Sequence, residues 1–300
     1  MPLHDAHNHL QDETLTPHLD RIAAAWPELS GRHGCMVVNG THPSDWPHVA
    51  ALAAAHPFVL PAYGIHPWDT GAPRPADWLT DLRARLLADP RASVGEIGLD
   101  RWILDSARPD DPRLAGVRRS SMDEQIATFL PQLALAAELD RPATIHCLQA
   151  FPDLLPLLRA HPLPARGFLL HAYGGPADLI PELTALGAYF SFNPAFLKPI
   201  PTPALCNQIG YTMPETLGPK LVNFSKNISA GRLLCETDAP AMIPPQAWRT
   251  HKLPPAPDGS PINHPGNIEA AYTGLAALRS EDPATLTAQI AQNFTRLFNV

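Results

Sequence analysis

Eight short apolar runs punctuate the chain, at residues 3–9, 34–39, 58–65, 93–99, 143–147, 168–171, 188–192 and 233–237. Most are rich in Val, Ile, Leu or aromatic residues and are bounded by turn chemistry. That is the pattern of short parallel strands buried on both faces. Between the runs the apolar positions change to helical spacing. Helices are predicted over 16–26, 46–55, 77–88, 122–139, 151–160 and 177–186, and two more, 268–278 and 284–298, close the chain. In 122–139 the apolar stripe is Ile126, Phe129, Leu130 and Leu133.

Eight strands alternating with helices over about 250–300 residues is the count of an α/β (β/α)8 TIM barrel. A doubly wound open sheet is the competitor. The barrel is preferred because the polar residues able to do chemistry fall at the C-terminal ends of at least five strands. A barrel gathers all its strand ends at one mouth. Three segments exceed a minimal barrel, 101–121, 194–232 and 240–265, and all follow strands, on the side where loops build specificity. With no repeat, low-complexity tail or linker, residues 1–300 are expected to form a single domain.

Composition narrows the possibilities. At 45% hydrophobic and 17% charged the chain reads as globular, and its net charge of −7 argues against nonspecific coating of nucleic acid. The 36 prolines fall between periodic segments more than inside them. The four cysteines, Cys35, Cys147, Cys206 and Cys235, are far apart and form no Cys-x-x-Cys, as expected for reduced thiols. No apolar run reaches membrane-spanning length, and no leader precedes Leu3. A cytoplasmic location with no membrane association and no obligate protein partner is therefore expected.

The chemistry begins at the first run. On a strand, alternate residues share a face, so Asp5, His7 and His9 point the same way. The ends of the other strands add Glu96, His146, His171 and Asp238. Four imidazoles and two carboxylates suit zinc, manganese, cobalt or nickel and not an all-oxygen calcium site. Six ligands are too many for one tetrahedral ion that keeps an open position. They suit two divalent ions sharing one carboxylate, and Glu96 is the natural bridge. His7, His9 and Asp238 would complete one site, because strands eight and one are neighbours in a closed barrel. His146 and His171 would complete the other. Two such ions, two carboxylates, one hydroxide and four neutral imidazoles leave a charge of about +1, which favours an anionic ester whose transition state gathers negative charge.

The ordered series His-x-His, Gly-Ile-His-Pro-Trp (64–68), Gly-Glu-Ile-Gly-Leu-Asp (95–100), Ile-His-Cys (145–147), His-Ala-Tyr-Gly-Gly (171–175) and Glu-Thr-Asp-Ala-Pro (236–240) resembles the TatD family of metal-dependent hydrolases. These are amidohydrolase-like barrels, many of them DNases. The closing 263–268 and 293–298 segments resemble the family's C-terminal part. The resemblance implies that His7, His9, Glu96, His146, His171 and Asp238 are metal ligands, in a set that could take Zn, Mn, Mg, Co or Ni. It also implies that Asp238 accepts the proton of the attacking water. Two departures stand out. The family usually carries an arginine two residues after the strand-five histidine, where this chain has Leu148. Its Asn-Glu-Pro appears here as Asn263-His264-Pro265.

Around this set, His66 and Lys198 are candidate substrate contacts, and Arg249 and Lys252 could also reach a phosphate from the long loops. Asp5 and Asp100 are candidates for orienting ligands from behind. For each the bland alternative is packing, a loop cap or a solvated charge. The same holds for Trp68, Tyr173 and Phe192 as stacking surfaces. Three functions are compatible with these residues. The first is a phosphodiesterase or deoxyribonuclease using a metal-activated water, with DNA or a small phosphodiester as substrate. The second is an amide, lactone or carboxylic-ester hydrolase, which Leu148 and the acidic charge favour, because an aliphatic side chain cannot replace a bidentate guanidinium. The third is a metal-bound, catalytically silent scaffold.

Overall fold

A computed structural model describes residues 1–197 and 218–300. Its eight strands form one parallel sheet in sequence order: β1 Asp5–Asn8, β2 Met36–Asn39, β3 Val59–Tyr63, β4 Ser93–Asp100, β5 Ala143–Leu148, β6 Phe168–Leu170, β7 Ala188–Phe192 and β8 Leu233–Cys235. Just past the end of β8, Asp238 N–H donates to the His7 carbonyl at 2.9 Å and His9 N–H to the Ala239 carbonyl at 2.7 Å. These bonds draw the sheet into a nearly closed barrel, a TIM-barrel architecture with helices between the strands. Strand residues such as Val37, Ile97, Leu169, Phe190 and Leu234 are fully buried, as continuous apolar runs dictate when both faces are covered.

Helices form where the apolar stripes lie, with shifted ends. The 16–26 prediction resolves into a 3-10 turn, Thr16–His18, followed by an α-helix, Leu19–Leu29. Pro27 lies within that helix, and Pro131 and Pro156 lie within Met122–Glu138 and Phe151–Ala160. Each deprives one earlier carbonyl of its usual donor. Burial of Ile22 and Trp26, or of Leu154, Leu155 and Leu158, outweighs that loss. Met122–Glu138 starts on a capping box in which Ser121 and Glu124 satisfy each other's backbone amides. No described helix is long and apolar enough to cross a membrane.

Two irregularities in the strand pairing lie beside residues at the barrel mouth. The β1–β2 register shifts between Asp5 and Asn8, and the β4–β5 register between Val94 and Ile97. A shift of register re-aims side chains, and these two flank His7 and Glu96. Gly98, at φ +146°, faces His146 across the β4–β5 ladder, and a Cβ there would lie 2.0 Å from the His146 carbonyl oxygen. Only glycine lets the two strands approach this closely.

The segment 101–121 borders the mouth, where Val117 lines the cleft above the strand ends. It contains a short helix, Trp102–Asp105, and a 3-10 turn, Pro112–Leu114. Ile103, Ala107 and Leu114 form a small core of their own, against which Trp68, Trp102 and Val117 pack.

Candidate metal centre

Glu96 stands between two groups of imidazoles. Its Oε2 lies 3.3 Å from His7 Nε2 and 3.3 Å from His9 Nε2, and Asp238 Oδ1 lies 3.4 Å from both nitrogens. Neighbouring donors around a tetrahedral ion with bonds of about 2.0–2.1 Å are spaced in this way. His7 is fully buried, and neither of its ring nitrogens has a hydrogen-bond partner. An unpartnered buried polar atom is costly, and a cation bound among these oxygens would complete Nε2.

On the other side, Glu96 Oε1 lies 2.9 Å from His146 Nδ1, 2.9 Å from His171 Nε2 and 3.4 Å from His66 Nε2. His66 therefore stands beside Glu96 and His146 closely enough to share a cation with them. Among the described residues three groupings could hold metal: His7 with His9 and Asp238, His7 with Glu96 and His171, and His66 with Glu96 and His146.

Groups behind the imidazoles fix their orientation. His9 Nδ1 lies 2.8 Å from the Asn39 carbonyl, which can only accept, so Nδ1 carries the proton and Nε2 turns its lone pair to the centre. His146 Nε2 donates to Asp100 Oδ2 at 3.2 Å, which frees Nδ1 in the same way. Asp100 is itself held by Trp68 Nε1 at 2.5 Å and the Ile103 amide at 3.0 Å. Behind His171, Glu236 Oε1 lies 3.8 Å from Nδ1. Fully buried Glu236 also accepts from Ser191 Oγ and Asn193 Nδ2. Sequence reasoning missed Glu236, although it stands two residues before Asp238 in the same Glu-Thr-Asp-Ala-Pro stretch.

Asp5 touches none of these rings. Its fully buried carboxylate accepts from Thr237 N–H at 3.0 Å, Thr237 Oγ1 at 2.5 Å and Asn8 Nδ2 at 3.1 Å. It ties the start of β1 to the chain beyond β8, one residue before Asp238. Asp238 itself adopts φ +52°, a costly conformation for a non-glycine residue and one that concentrates at functional sites.

Burial disfavours charge on His9, His146, His171, Glu96 and Asp238, but mutual attraction overrides it. Despite burial, Asp238 and Glu96 raise His9 well above its ordinary value, and Glu96 and Glu236 do the same for His171. Asp100 and Glu96 likewise raise His146 to about 9. Glu96 and Asp238 are held below the usual carboxylate range by the imidazoles facing them. The donor set thus demands positive charge at its centre, and protons and metal ions compete to supply it.

The cluster floors a cleft of about 620 Å³. Trp68 and Val117 line one wall, and Asp12, Glu13, Asp45 and Asp69 stand in the loops after β1, β2 and β3. No Arg or Lys lines it among the described residues. Tyr173 and Phe192 are buried, whereas Lys198 lies outside the described residues. Arg249 bonds the Pro244 carbonyl, away from the cleft lining.

Comparison with known proteins agrees with this geometry. The family model described as TatD related DNase matches residues 4–299. A Klebsiella pneumoniae protein named 3'-5' ssDNA/RNA exonuclease TatD is 28% identical over 272 residues, covering 90% of this chain and 88% of its own. The Escherichia fergusonii protein of the same name is 27% identical over 266 residues, covering 88% and 87%. Among solved structures, the TatD homologue YJJV of Escherichia coli superimposes with a TM-score of 0.75 at 23% identity, over 99% of this chain and 98% of that one. A TatD family hydrolase of Entamoeba histolytica gives 0.75 at 15% identity, over 99% and 98%. These two establish the barrel. With the family match running from the His-x-His strand through the last helix, the chain belongs to the TatD-related DNase family of metal-dependent hydrolases.

Proposed function

We propose that residues 1–300 act as one hydrolase barrel domain, a two-metal phosphodiesterase cleaving DNA or RNA strands. The observation that carries this reading is Glu96, whose two carboxylate oxygens face two separate imidazole groups. His7, His9, Asp238 and Glu96 Oε2 would hold one divalent ion. His146, His171 and Glu96 Oε1 would hold the other. The mixed nitrogen and oxygen donors suit Zn, Mn, Co or Ni better than Mg. Bound there, such ions make water a nucleophile near neutral pH and neutralise developing phosphoryl charge. Asp238 has 12% side-chain exposure against 3% for Glu96, so it is the carboxylate placed to take the proton of the attacking water. His66 stands farther from Glu96 Oε1 than His146 or His171 and faces the cleft, and we assign it the contact to a phosphoryl oxygen. The relatives named 3'-5' ssDNA/RNA exonuclease support a single-stranded substrate. The free thiols Cys35, Cys147 and Cys235 support a cytoplasmic location.

One observation favours a carboxylic-ester, lactone or amide substrate instead. The cleft shows no guanidinium among the described residues, and Leu148 stands where the family carries arginine. A single panel decides. Protein stripped by chelator and reloaded with Mn, Zn or Mg is offered single-stranded DNA, RNA, a chromogenic phosphodiester, lactones and cyclic amides. Turnover of phosphodiesters is expected. Turnover of lactones or amides alone overturns the assignment, and inertness towards every class makes the protein a scaffold.

A further inference from the structure

The segment 101–121 carries five of the chain's 22 basic residues and a net charge of +2, in a chain of −7. It also builds a column of flat groups. Trp68, on the cleft wall, stacks on Trp102 with centroids 6.0 Å apart and planes 27° apart. The Arg113 guanidinium lies over Trp102, 4.5 Å from the ring centroid. Arg113 is 61% exposed, and its pairing with Asp111, through Nε at 2.9 Å and Nη2 at 2.7 Å, lies in the guanidinium plane and uses two of its five N–H donors. That pairing leaves a flat face free. Arg108 is 74% exposed, and its ion-pair partner Asp110 is 4.0 Å away. Arg101, Arg118 and Arg119 are each engaged by Asp153, Glu124 or backbone carbonyls. Apart from Glu96 and Asp238 of the metal centre itself, the carboxylates that line the cleft come from the loops after β1, β2 and β3, so a polyanion is repelled there and admitted beside 101–121.

We propose that segment 101–121 is the wall along which a single nucleic-acid strand lies on its way to the metal centre, with a base stacked on the open face of Arg113 and a phosphate paired with Arg108. This rests on the phosphodiesterase reading and adds the strand's path to it. Single-strand binders combine flat stacking groups with positive charge in this way, because every base has a π-face. A planar guanidinium stacks where an ammonium cannot.

The test is equilibrium binding of a fluorescent fifteen-nucleotide single strand, and of a dinucleotide, to the full chain in chelator, so that nothing is cleaved. Salt is varied from 50 to 200 mM. Arg113→Ala should weaken fifteen-mer binding about tenfold. Arg113→Lys should weaken it nearly as much with the salt slope unchanged, because charge remains and the flat face does not. Arg108→Ala should lower the salt slope by about 0.7. In the double variant the advantage of the fifteen-mer over the dinucleotide should vanish. Arg159→Ala, on the helix Phe151–Ala160 and paired with Glu182, serves as the control and should bind as wild type. Arg113 and Arg108 are exposed, so the variants keep their fold, and thermal melting checks it. Wild-type binding by Arg113→Lys, or an unchanged salt slope in Arg108→Ala, overturns the proposal. If the metal-loaded wild type still cleaves a chromogenic phosphodiester, only the strand path has failed. If it cleaves none, the functional reading has failed first.

Discussion

Replacing Asp100 by Asn isolates one half of the metal centre. The carboxylate is fully buried and accepts from three donors: Trp68 Nε1 and His146 Nε2 on Oδ2, and the Ile103 amide on Oδ1. An amide cannot serve all three. With its oxygen towards Trp68 and His146, its NH2 meets the Ile103 N–H. Flipped, the NH2 meets two donors. One or two bonds to a charged acceptor are lost, at about 1.5–3 kcal/mol each. For a chain of this size that lowers Tm by about 5 °C. The larger consequence is local. His146 loses the partner that fixes its tautomer, and loss of such a partner weakens metal binding about 10–100-fold, or 1.4–2.7 kcal/mol. His7 and His9 do not touch Asp100, so the other ion should bind as before. Calorimetric titration of stripped protein with Zn resolves the two steps. One step should weaken and the other hold. Equal weakening of both, or of neither, refutes the division of the cluster.

Other consequences are open to measurement. Glu96→Gln removes the shared ligand and should abolish both binding steps and phosphodiester turnover, whereas His171→Ala should abolish one step, as metal analysis after gel filtration will show. Leu148→Arg restores a bidentate donor two residues beyond His146 and should lower KM for a phosphodiester several-fold; an unchanged KM removes Leu148 from the explanation of specificity. His4, stacked on Phe294 with centroids 4.2 Å apart, and His264 are both buried and held neutral, each lowered to about 4 by burial. The unfolded chain takes up these protons near 6.5, so their stabilisation is complete above that pH and is lost as pH falls towards 4, by about 3 kcal/mol per group. His4→Asn with His264→Asn should flatten urea-measured stability across that window, and a slope as steep as wild type would contradict the assignment. Phe294→Ala should cost about 3–5 kcal/mol by the same measurement, since the ring is fully buried.

Much of the barrel was legible because burial on both faces leaves continuous apolar runs, and the helices between them keep a different period. The strands of the structure fall within or next to all eight runs. His9, His171 and Asp238 lie one to three residues past their strands, a displacement the runs could not show. The order of His-x-His, Glu96, His146, His171 and Asp238 along the chain was equally plain. Which atom faces which was not, because register shifts at Asp5–Asn8 and Val94–Ile97 accompany His7 and Glu96, and a register shift leaves no mark in composition. Glu236 escaped notice because it sits beside a stronger candidate. The closeness of His66 to Glu96 depends on the path of the chain after β3. Asp5 is buried, but its partners are the nearby Asn8 and Thr237, and only the closed seam brings Thr237 within reach. Pro27, Pro131 and Pro156 lie inside helices because tertiary burial outweighed a local rule.

The shared role of Glu96 is tested most directly by anomalous diffraction from crystals of the zinc- or manganese-loaded protein, recorded at the metal's absorption edge. Two peaks roughly 3.5–4 Å apart, one on each side of the Glu96 carboxylate, are predicted. A single peak, or a pair that Glu96 does not touch, would contradict the account.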